Sequence, residues 1–325
     1  MTSLPETMRA VVIDRFGGPE VLRVARLPVP HPAEGEVVVR VAYAGVGQWD
    51  PFEREGGYAQ MLGVQPAFPY VLGSEGSGTV AAVGRGVEGL EAGQPVIAVG
   101  FLNPRGGFYA EYAAVDADLV VPIPPGLDLR AAAVIAGVGL TALRGLDDVL
   151  GVRAGETLAV VGASGGVGHL AVQLAAQQGV RVLAVASGGD GTALAARLGA
   201  EAAVDGRGGD VAAALAAFAP EGLDAALLAA GGPVAEVVAA HVAPHGRVAF
   251  PTGVVPPAEP AGGAKLMEYQ GEPDRDILQR LVSRIAAGGV TAHVDALFPL
   301  EAAADAHRAV ERHHLGKLGL RVQGG

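Results

Sequence analysis

Short apolar runs separated by turn residues fill the first third of the chain. Val and Ile alternate with polar residues, or form β-branched runs, over residues 11–13, 21–24, 36–44, 76–83, 94–99 and 111–115. Such runs, bounded by Gly and Pro, are typical of short strands. Residues 1–122 are therefore predicted to form a compact, partly open β-barrel. The prolines of residues 121–126 mark its end, because Pro stops both helices and central strands.

From residue 128 onward the pattern changes to strands that alternate with helices. Strands are predicted at 158–161, 180–186, 203–204, 223–230, 247–250, 292–298 and 318–322. Helices are predicted at 128–150, 167–178, 192–198, 210–218, 234–240, 274–287 and 301–311. This alternation predicts a parallel sheet with helices on both faces. Residues 254–264, rich in Pro, Gly and Ala, are predicted to be a loop that returns to the first domain.

The strand and helix within residues 157–179 are joined by a glycine-rich turn. The residues of this turn expected to hold a dinucleotide are Gly162, Ser164, Gly165, Gly166, Val167 and Gly168. A backbone without Cβ atoms can approach a pyrophosphate, and the amides and dipole of the following helix attract its charge. Glycines also make ordinary turns, and the spacing Gly-x-x-Gly-x-x-Gly departs from G-x-G-x-x-G. The next strand follows at 180–186, as a right-handed crossover requires, which favours a dinucleotide-binding βαβ unit.

Composition narrows the choice of partners. The net charge is −11 without any basic block, which argues against nucleic acid and anionic membranes. Every apolar stretch of transmembrane length is interrupted by Gly, Pro or charge, and residues 1–13 lack the pattern of a secretory leader, so a cytoplasmic location is expected. The chain contains no cysteine, which excludes disulfides, a thiol nucleophile and cysteine-ligated metals.

The histidines offer one candidate metal pair. His241 and His245 stand at the interval of two ligands on one helix face. Pro244 and Gly246 break a helix at that point, so a solvated helix end is the favoured interpretation. His169 follows the glycine turn and is expected to face solvent, with an approach to the cofactor phosphates as the alternative. Surface positions are also predicted for the three histidines of the charged C-terminal segment, His307, His313 and His314.

Several motifs occur in a characteristic order along the chain. They are FGGPEVL at 16–22, FPYVLGSEGSG at 68–78, GFYAEY at 107–112, GLTA at 139–142, GASGGVG at 162–168 and GK at 316–317. Over nearly the whole chain they resemble the zinc-independent quinone oxidoreductase branch of the medium-chain dehydrogenase/reductase superfamily. The resemblance implies an α/β protein with a GroES-like catalytic domain, a partly open β-barrel split between residues 1–124 and 263–325. It implies a doubly wound Rossmann domain with a parallel sheet at residues 125–262.

Three positions of the resemblance concern zinc and its proton relay. Zinc-using relatives carry a ligand cysteine in Gly-Val-Cys-x-Ser/Thr-Asp and a ligand histidine in Gly-His-Glu. The matching stretches here have Gly47 instead of the cysteine, Trp49 instead of the proton-relay hydroxyl, and Ser74 instead of the histidine. No zinc is therefore expected. Asp50 and Glu75 match residues that stand behind the metal in those relatives, and they are expected to bind backbone amides here.

The end of the second Rossmann strand bears on the choice of nicotinamide cofactor. NAD sites place an acidic residue there to accept a hydrogen bond from the ribose 2′-OH. Counting about twenty residues from the glycine turn reaches Ser187, which leaves space for a 2′-phosphate and favours NADPH. NADH stays an alternative because no Arg or Lys stands at that point. By resemblance, four further residues border the cofactor: Thr141, Phe250, Thr252 and Lys317. For Lys317, an exposed surface lysine is the alternative interpretation.

The expected chemistry is hydride delivery to an electron-poor acceptor. Without zinc the site lacks a strong Lewis acid to polarise an alcohol or a simple carbonyl group. A small-molecule quinone or α,β-unsaturated carbonyl compound is therefore the predicted substrate. The resemblance points to residues 47–58 and their neighbourhood for its binding, and no side chain is assigned a catalytic role. The substrate-binding candidates are Gln48, Trp49, Phe52, Tyr58 and Tyr70.

Alternative functions stay open at this point. An enoyl-thioester reductase is less favoured, because the sequence shows no basic cluster for the phosphate of coenzyme A. An NADPH-binding structural or redox-sensing protein with little turnover is an alternative of another class. The resemblance also implies a homodimer, formed through a sheet edge near residues 247–250.

Overall fold

The computed structural model describes residues 4–63, 65–257 and 260–323. The strands are β1 (Thr7–Ile13), β2 (Arg23–Pro28), β3 (Glu36–Val46), β4 (Tyr70–Val71), β5 (Glu75–Val83), β6 (Pro95–Val99), β7 (Tyr112–Asp116), β8 (Val120–Pro122), β9 (Thr157–Val161), β10 (Arg181–Ala186), β11 (Ala202–Asp205), β12 (Leu223–Leu228), β13 (Val242–Pro251), β14 (Lys265–Tyr269), β15 (Val294–Pro299) and β16 (Lys317–Arg321).

The helices of the described ranges lie mostly in the second half of the chain. They are α1 (Trp49–Arg54), α2 (Gly57–Leu62), α3 (Leu129–Ala132), α4 (Ala136–Leu143), α5 (Gly166–Gln177), α6 (Gly188–Arg197), α7 (Val211–Phe218), α8 (Pro233–Ala240), α9 (Arg275–Ala286) and α10 (Ala303–Val310). A π-helical segment, Arg144–Leu150, continues α4. In the described ranges, no helix is long and apolar enough to span a bilayer.

The chain divides into two units. Unit 1 holds the described residues of Met1–Gly137, Pro273–Ala286 and Val294–Gly325, and unit 2 holds Val138–Glu272 and Ala287–His293, less residues 258 and 259. The chain therefore leaves unit 1, forms unit 2 and returns, as the split domain of the resemblance implied.

Unit 1 is a β-rich body with two sheets. Strands β2, β1 and β4 form an antiparallel sheet, and a larger sheet runs β15-β16-β3-β5-β6-β8 with β7 also paired to β3. The long strand β3 is central because it pairs with β5, β7 and β16. Val37, Val39 and Val41 of β3 are fully buried in the core of this unit, as their alternation predicts. The GroES-like, barrel-type architecture is confirmed.

Unit 2 is a doubly wound α/β domain. Its six strands are all parallel in the order β11-β10-β9-β12-β13-β14, so the strand order reverses next to β9. Leu158–Val161 of β9 are buried, because a strand covered on both faces needs no polar alternation. In such sheets ligands bind beyond the carboxyl ends of the strands, at the point of reversal. This confirms the predicted Rossmann architecture.

The parallel sheet extends beyond the predicted end of the Rossmann domain. Strand β14 pairs with β13 from Arg247↔Lys265 to Pro251↔Tyr269, so the parallel sheet continues past residue 262, where the Rossmann domain was predicted to end. This sixth strand begins directly after the loop predicted for 254–264 and was not predicted. Residues 258 and 259 of that loop lie outside the described ranges. Residues 247–250 are consequently inside the sheet and are not the edge strand that was predicted, because β14 forms that edge; the homodimer itself stays a prediction.

Local capping signals in the sequence are accurate, while helix lengths are not. Asp128 accepts a hydrogen bond from the amide of Ala131 (2.7 Å), and Asp210 accepts one from Ala213 (2.9 Å), as N-cap residues do. The single helix predicted for 128–150 is instead divided into α3, α4 and the π-helical segment. Helices α1 and α2 were not predicted, because glycines at 56 and 57 interrupt an otherwise short pattern.

Candidate active site

The glycine turn of unit 2 forms a cradle at the carboxyl end of β9. Gly162 has a φ of +76°, a conformation that favours glycine. A Cβ atom at position 168 would lie 2.1 Å from the carbonyl oxygen of Gly162, so the first turn of α5 packs directly on the turn backbone. This arrangement aims the N-terminus of α5 at the switch point, where a pyrophosphate is held by amides and the helix dipole. The residues present fit a dinucleotide.

His169 contradicts its predicted solvent exposure. Its ring is fully buried, and Nδ1 lies 2.9 Å from the carbonyl oxygen of Gly165. Because a carbonyl can only accept, the ring carries its proton on Nδ1, and Nε2 accepts a hydrogen bond from the amide of His293 (3.2 Å). His169 therefore ties the glycine turn to the segment Ala287–His293. The apolar spacing of α5 gave no signal of this contact, which depends on a chain segment over a hundred residues away.

Ser187 lies at the carboxyl end of β10, immediately before α6. It is half-buried and provides no side-chain cap to the helix. An acid of the neighbouring strand binds the residue after Ser187: Asp205 of β11 accepts hydrogen bonds through Oδ1 from the amides of Gly188 (2.8 Å) and Arg207 (3.0 Å). These bonds and the charge of Arg207 lower the pKa of Asp205. Arg207 is a basic residue beside this strand end that counting along the sequence did not find.

The other cofactor candidates of unit 2 are held by backbone and β14. The carbonyl of Thr141 accepts a hydrogen bond from the hydroxyl of Tyr269 (3.0 Å), whose pKa burial raises. The hydroxyl of Thr252 donates to Glu268 (2.8 Å). Phe250 is buried near the carboxyl end of β13, and Ser164 is buried in the glycine turn. Ser164, Ser187, Phe250 and Thr252 thus follow or end three parallel strands, at the edge of the sheet that binds ligands in this fold.

A second cluster lies in unit 1, where β3 ends and α1 begins. Asp50 accepts a hydrogen bond through Oδ2 from the amide of Gly47 (2.6 Å), and Glu75 accepts one through Oε2 from the amide of Gly137 (2.7 Å). The prediction that these two carboxylates bind backbone amides is confirmed. Both residues are fully buried, so the bonds offset part of the cost of removing a carboxylate from water.

Lys317 joins this cluster and is not an exposed surface lysine. Its side chain is 3% exposed, and Nζ lies 2.8 Å from Oε1 of Glu75 and 4.3 Å from the ring centroid of Trp49. The indole in turn packs edge-to-face on Phe101, with centroids 5.9 Å apart. The ammonium group is thus fixed between a carboxylate and an aromatic face.

Four polar atoms of this cluster are buried without a hydrogen-bond partner among the described residues. They are Nε1 of Trp49, Oδ1 of Asp50, Oε1 of Glu75 and Nζ of Lys317. The ion pair between Lys317 and Glu75 is close but lacks the alignment of a hydrogen bond. Unpartnered buried polar groups each cost about 1–3 kcal/mol. Their concentration in one place is typical of a binding or catalytic site rather than of a structural core.

Burial raises the pKa of two acids in helix α1. The pKa of Asp50 rises to about 8, chiefly through burial and also through the charges of Glu53 and Glu75, against the bond from Gly47 and the charge of Lys317. Burial likewise raises the pKa of Glu53 to about 7. Asp50 is therefore largely protonated at neutral pH, and Glu53 is about half protonated. Perturbed carboxyls of this kind mark candidate functional sites when they lie beside other unpartnered groups.

The other residues predicted to bind the substrate lie in three separate places. Tyr70 donates to Glu53 (2.8 Å), so its hydroxyl is already engaged. Gln48 is exposed and donates to the carbonyl of Val310 (2.6 Å). Phe52 and Tyr58 pack edge-to-face, with centroids 4.9 Å apart, and burial raises the pKa of Tyr58 to about 12. Trp49 alone among the five contacts Lys317.

A buried network behind Asp50 was missed by sequence reasoning. Arg54, predicted nowhere, donates to Nδ1 of His307 (2.9 Å), and Nε2 of His307 lies 3.2 Å from the hydroxyl of Tyr109. Burial and the charge of Arg54 lower the pKa of His307 to about 3, so the ring is neutral. The predicted surface position of His307 is therefore wrong. Burial raises the pKa of Tyr109 well above its usual value, and the charges of Asp50, Glu53 and Glu75 raise it further.

Zinc does not fit the positions where relatives bind it. A Cβ atom at Gly47 would lie 2.6 Å from the indole of Trp49, which fills the space that a ligand side chain at 47 would enter. Ser74 is a buried hydroxyl residue where those relatives carry an imidazole. The described residues contain no group of three or more His, Asp or Glu side chains suited to a metal ion. His241 instead contacts the carbonyl of Ala219, and His245 adopts a φ of +69° outside any helix.

Comparisons with known proteins agree with this architecture. The alcohol dehydrogenase GroES-like domain matches residues 33–125, and the zinc-binding dehydrogenase family matches residues 198–318, which include neither Gly47 nor Ser74. The quinone oxidoreductase of Rattus norvegicus is 31% identical over 341 residues, covering 99% of both chains.

Solved structures are similar over the same length. An NAD-dependent alcohol dehydrogenase superposes with a TM-score of 0.86 at 32% identity, over 97% of this chain and 100% of the other. A mycobacterial protein complexed with NADPH superposes with a TM-score of 0.82 at 29% identity, over 97% of this chain and 100% of the other.

The split GroES-like domain, the parallel sheet and the glycine cradle define a nicotinamide-dependent oxidoreductase of the medium-chain dehydrogenase/reductase superfamily. Within that superfamily the chain belongs to the quinone oxidoreductase family. It is an NAD(P)H-dependent enzyme.

Proposed function

We propose that this enzyme reduces a quinone or an α,β-unsaturated carbonyl compound with NADPH and without zinc. The observation that carries the proposal is the indole of Trp49, which occupies the space of a ligand side chain at Gly47. A site without a metal Lewis acid needs an acceptor that is already electrophilic. In a quinone or an enone, negative charge moves to the carbonyl oxygen when a carbon of the conjugated system accepts hydride.

The chain's own residues bind and orient the reactants. The glycine cradle and the N-terminus of α5 hold the pyrophosphate, as the close packing at Gly168 supports. When bound, the reduced nicotinamide supplies a hydride. Trp49 and Phe52 present aromatic surface to an apolar acceptor, and the exposed side of Phe52 suits this role. Positioning of the acceptor and stabilisation of its developing charge are the protein's contribution to the rate.

NADPH is the proposed form of the cofactor. The end of β10 carries Ser187 instead of an acid, and the exposed Arg207 follows the adjacent strand end. A relative of similar fold was crystallised with NADPH. Asp205 of the adjacent strand binds the turn backbone, since its Oδ1 accepts two backbone amides.

Steady-state oxidation of NADPH and of NADH, followed with a panel of quinones, cyclic enones, simple ketones and enoyl thioesters, tests the proposal. The expected result is turnover with quinones or enones, none with simple ketones, and a higher kcat/KM with NADPH. Preference for enoyl thioesters would instead identify a thioester reductase. Binding of NADPH without oxidation by any acceptor would contradict an enzymatic role and support the redox-sensing alternative.

A further inference from the structure

The cluster around Lys317 contains charged side chains to which the proposed function assigns no role. Lys317 begins β16 beside the end of β3, where Leu318 pairs with Val46. Asp50 interacts electrostatically with this amine and with two further acids, Glu53 and Glu75. Only Glu75 contacts it directly, at 2.8 Å. A buried cation placed so carefully among acids requires a reason beyond stability, since buried ion pairs are seldom stabilising overall.

The orientation of the ammonium group is fixed from two sides. Glu75 is itself held by the amide of Gly137, and a Cβ atom at Gly45 would lie 2.4 Å from the Glu75 carboxylate, so the strand backbone packs against that side chain. The Trp49 ring covers Nζ from another side at 4.3 Å. Preorganised charges of this kind lower barriers because they need no reorganisation when charge develops on a substrate.

Nζ of Lys317 and Nε1 of Trp49 are both donors without a hydrogen-bond partner among the described residues, although Nζ forms the ion pair with Glu75. They belong to side chains in direct contact, and the indole is only partly covered. A cationic donor that lacks a hydrogen bond matches the needs of an oxygen atom that becomes negative. The neighbouring Asp50 is neutral at physiological pH, so it does not cancel this preference.

We propose that Lys317 binds the carbonyl oxygen of the acceptor and stabilises the negative charge that forms there. Lys317 thus takes the part that a metal ion plays in zinc-using relatives, and is a catalytic residue. The inference rests on the proposed function. The acceptor gains hydride at its β-carbon, the electron pair of the C=C bond becomes the enolate, and a proton from water restores the carbonyl compound.

The test uses the chain's two lysines as a matched pair. Lys317→Met removes the buried charge but keeps the length of the side chain, and Lys317→Arg keeps a charge. Lys265→Met is the control, since Lys265 is exposed on β14 in unit 2. The probe is p-nitrophenol, whose ionised form is yellow and imitates an enolate oxygen. Its binding to the NADP⁺-loaded enzyme is followed by absorbance and by quenching of Trp49, the sole tryptophan.

The expected result is that wild type and Lys265→Met bind the ionised form and lower the pKa of the bound phenol. Lys317→Met loses this preference, and its kcat with an enone falls by about 10²-fold, the usual effect of removing one such donor. Lys317→Arg retains binding of the ionised phenol. The dissociation constant of NADPH, measured by fluorescence, stays at the wild-type value in all of them.

Two results would overturn the assignment. One is a Lys317→Met enzyme that binds the phenolate and turns over as wild type does. The other is weaker NADPH binding with unchanged phenolate binding, which would assign Lys317 to the cofactor. If Lys317→Met does not fold, Glu75→Gln decides: it removes a competing negative charge and should tighten phenolate binding, whereas unchanged or weaker binding contradicts the proposal.

Failure of the proposed function is a separate outcome. A wild-type enzyme that oxidises NADPH with no quinone or enone, yet binds p-nitrophenolate through Lys317, would keep the oxyanion site and discard the reaction. Turnover with an enone that is indifferent to Lys317 would keep the reaction and discard the oxyanion site.

Discussion

Gly47 determines the surroundings of Trp49 and, through it, those of Lys317. Any side chain at 47 would collide with the indole, because its Cβ atom would lie 2.6 Å from the ring. Glycine at this position and tryptophan two residues later are therefore coupled features of one site. The sequence shows both residues, but only the structure shows that the ring turns back over the glycine and onto the lysine.

The Trp49→Ala variant tests whether Trp49 contributes to binding of the acceptor substrate rather than of the cofactor. Removing the indole eliminates an apolar contact and the N–H donor, while the glycine cradle of unit 2 is unchanged. We expect kcat/KM to change by different factors for different quinones and enones, with the NADPH dissociation constant unaffected. Kinetics with three acceptors of different size, and a nucleotide titration, provide the measurement. An equal loss for every acceptor with a lower Tm would indicate a core residue instead.

Asp50 and Glu53 predict a dependence of stability on pH. Their pKa values, about 8 and about 7 in the folded chain, exceed the value of about 4 of an unfolded carboxyl. Between these values the folded chain retains protons that the unfolded chain has released, so the free energy of unfolding falls as pH rises from about 4 to about 8. Below about pH 4 both states are protonated, and this contribution is fully present.

Asp50→Asn removes its part of that loss. We expect the Tm of the variant minus the Tm of wild type to be at least ~2 °C larger at pH 8 than at pH 4. The conversion is that 1 kcal/mol moves Tm by roughly 2–4 °C in domains of 150–250 residues. Calorimetry across pH gives the measurement. The control is Glu201→Gln, an exposed carboxyl whose pKa Arg181 lowers, for which the small pH effect has the opposite sign. A pH-independent difference for Asp50→Asn would contradict the burial argument.

Among the elements, the βαβ unit was predictable and the short helices of unit 1 were not. A buried strand, a glycine turn and a helix carry strong local patterns, so β9, α5 and β10 agree with prediction within two residues. Strand β14 was missed because only Tyr269 of it is buried, so the strand has no alternating apolar pattern of its own. His307 and Lys317 were uncertain for the same reason, since α10 and β16 meet partners far away in sequence.

Gly168→Ala tests the close approach of α5 to the glycine turn. The new Cβ atom would lie 2.1 Å from the Gly162 carbonyl oxygen and 2.7 Å from Cα of Ala163, both backbone atoms that must shift. We expect a destabilisation of about 1–3 kcal/mol and weaker NADPH binding by calorimetric titration. Gly100→Ala, where only an ordinary contact at 3.9 Å is added, is the control. Wild-type nucleotide affinity in Gly168→Ala would show that the cradle does not hold the pyrophosphate.

Ser187→Asp tests the preference for NADPH at the end of β10. A carboxylate there repels a 2′-phosphate and accepts a ribose 2′-OH. We expect the ratio of kcat/KM for NADH to that for NADPH to rise by roughly tenfold or more, which corresponds to about 1.4 kcal/mol. Ala193→Asp places the same charge on an exposed position of α6 and should leave the ratio unchanged. An unchanged ratio in Ser187→Asp would place the ribose elsewhere.

For the whole molecule, the two units contain different chemical groups. Unit 2 has the strand order and glycine cradle of a dinucleotide-binding domain, whereas unit 1 contains the acids, the indole and the buried ammonium group. The sequence predicted the first unit's barrel and the second unit's sheet, because each follows from its own periodicity. It did not predict the charge cluster, which assembles residues from β5, α1 and β16 that only the fold brings together.

Transfer of deuterium from [4,4-²H₂]NADPH, labelled on both faces of the nicotinamide, to a cyclic enone by metal-depleted enzyme tests the central claim most directly. The account predicts one deuterium at the β-carbon of the saturated ketone, seen by NMR, with one NADP⁺ formed per product and no effect of added zinc. NADPH consumption without deuterium in the ketone, or transfer only after zinc is restored, would contradict it.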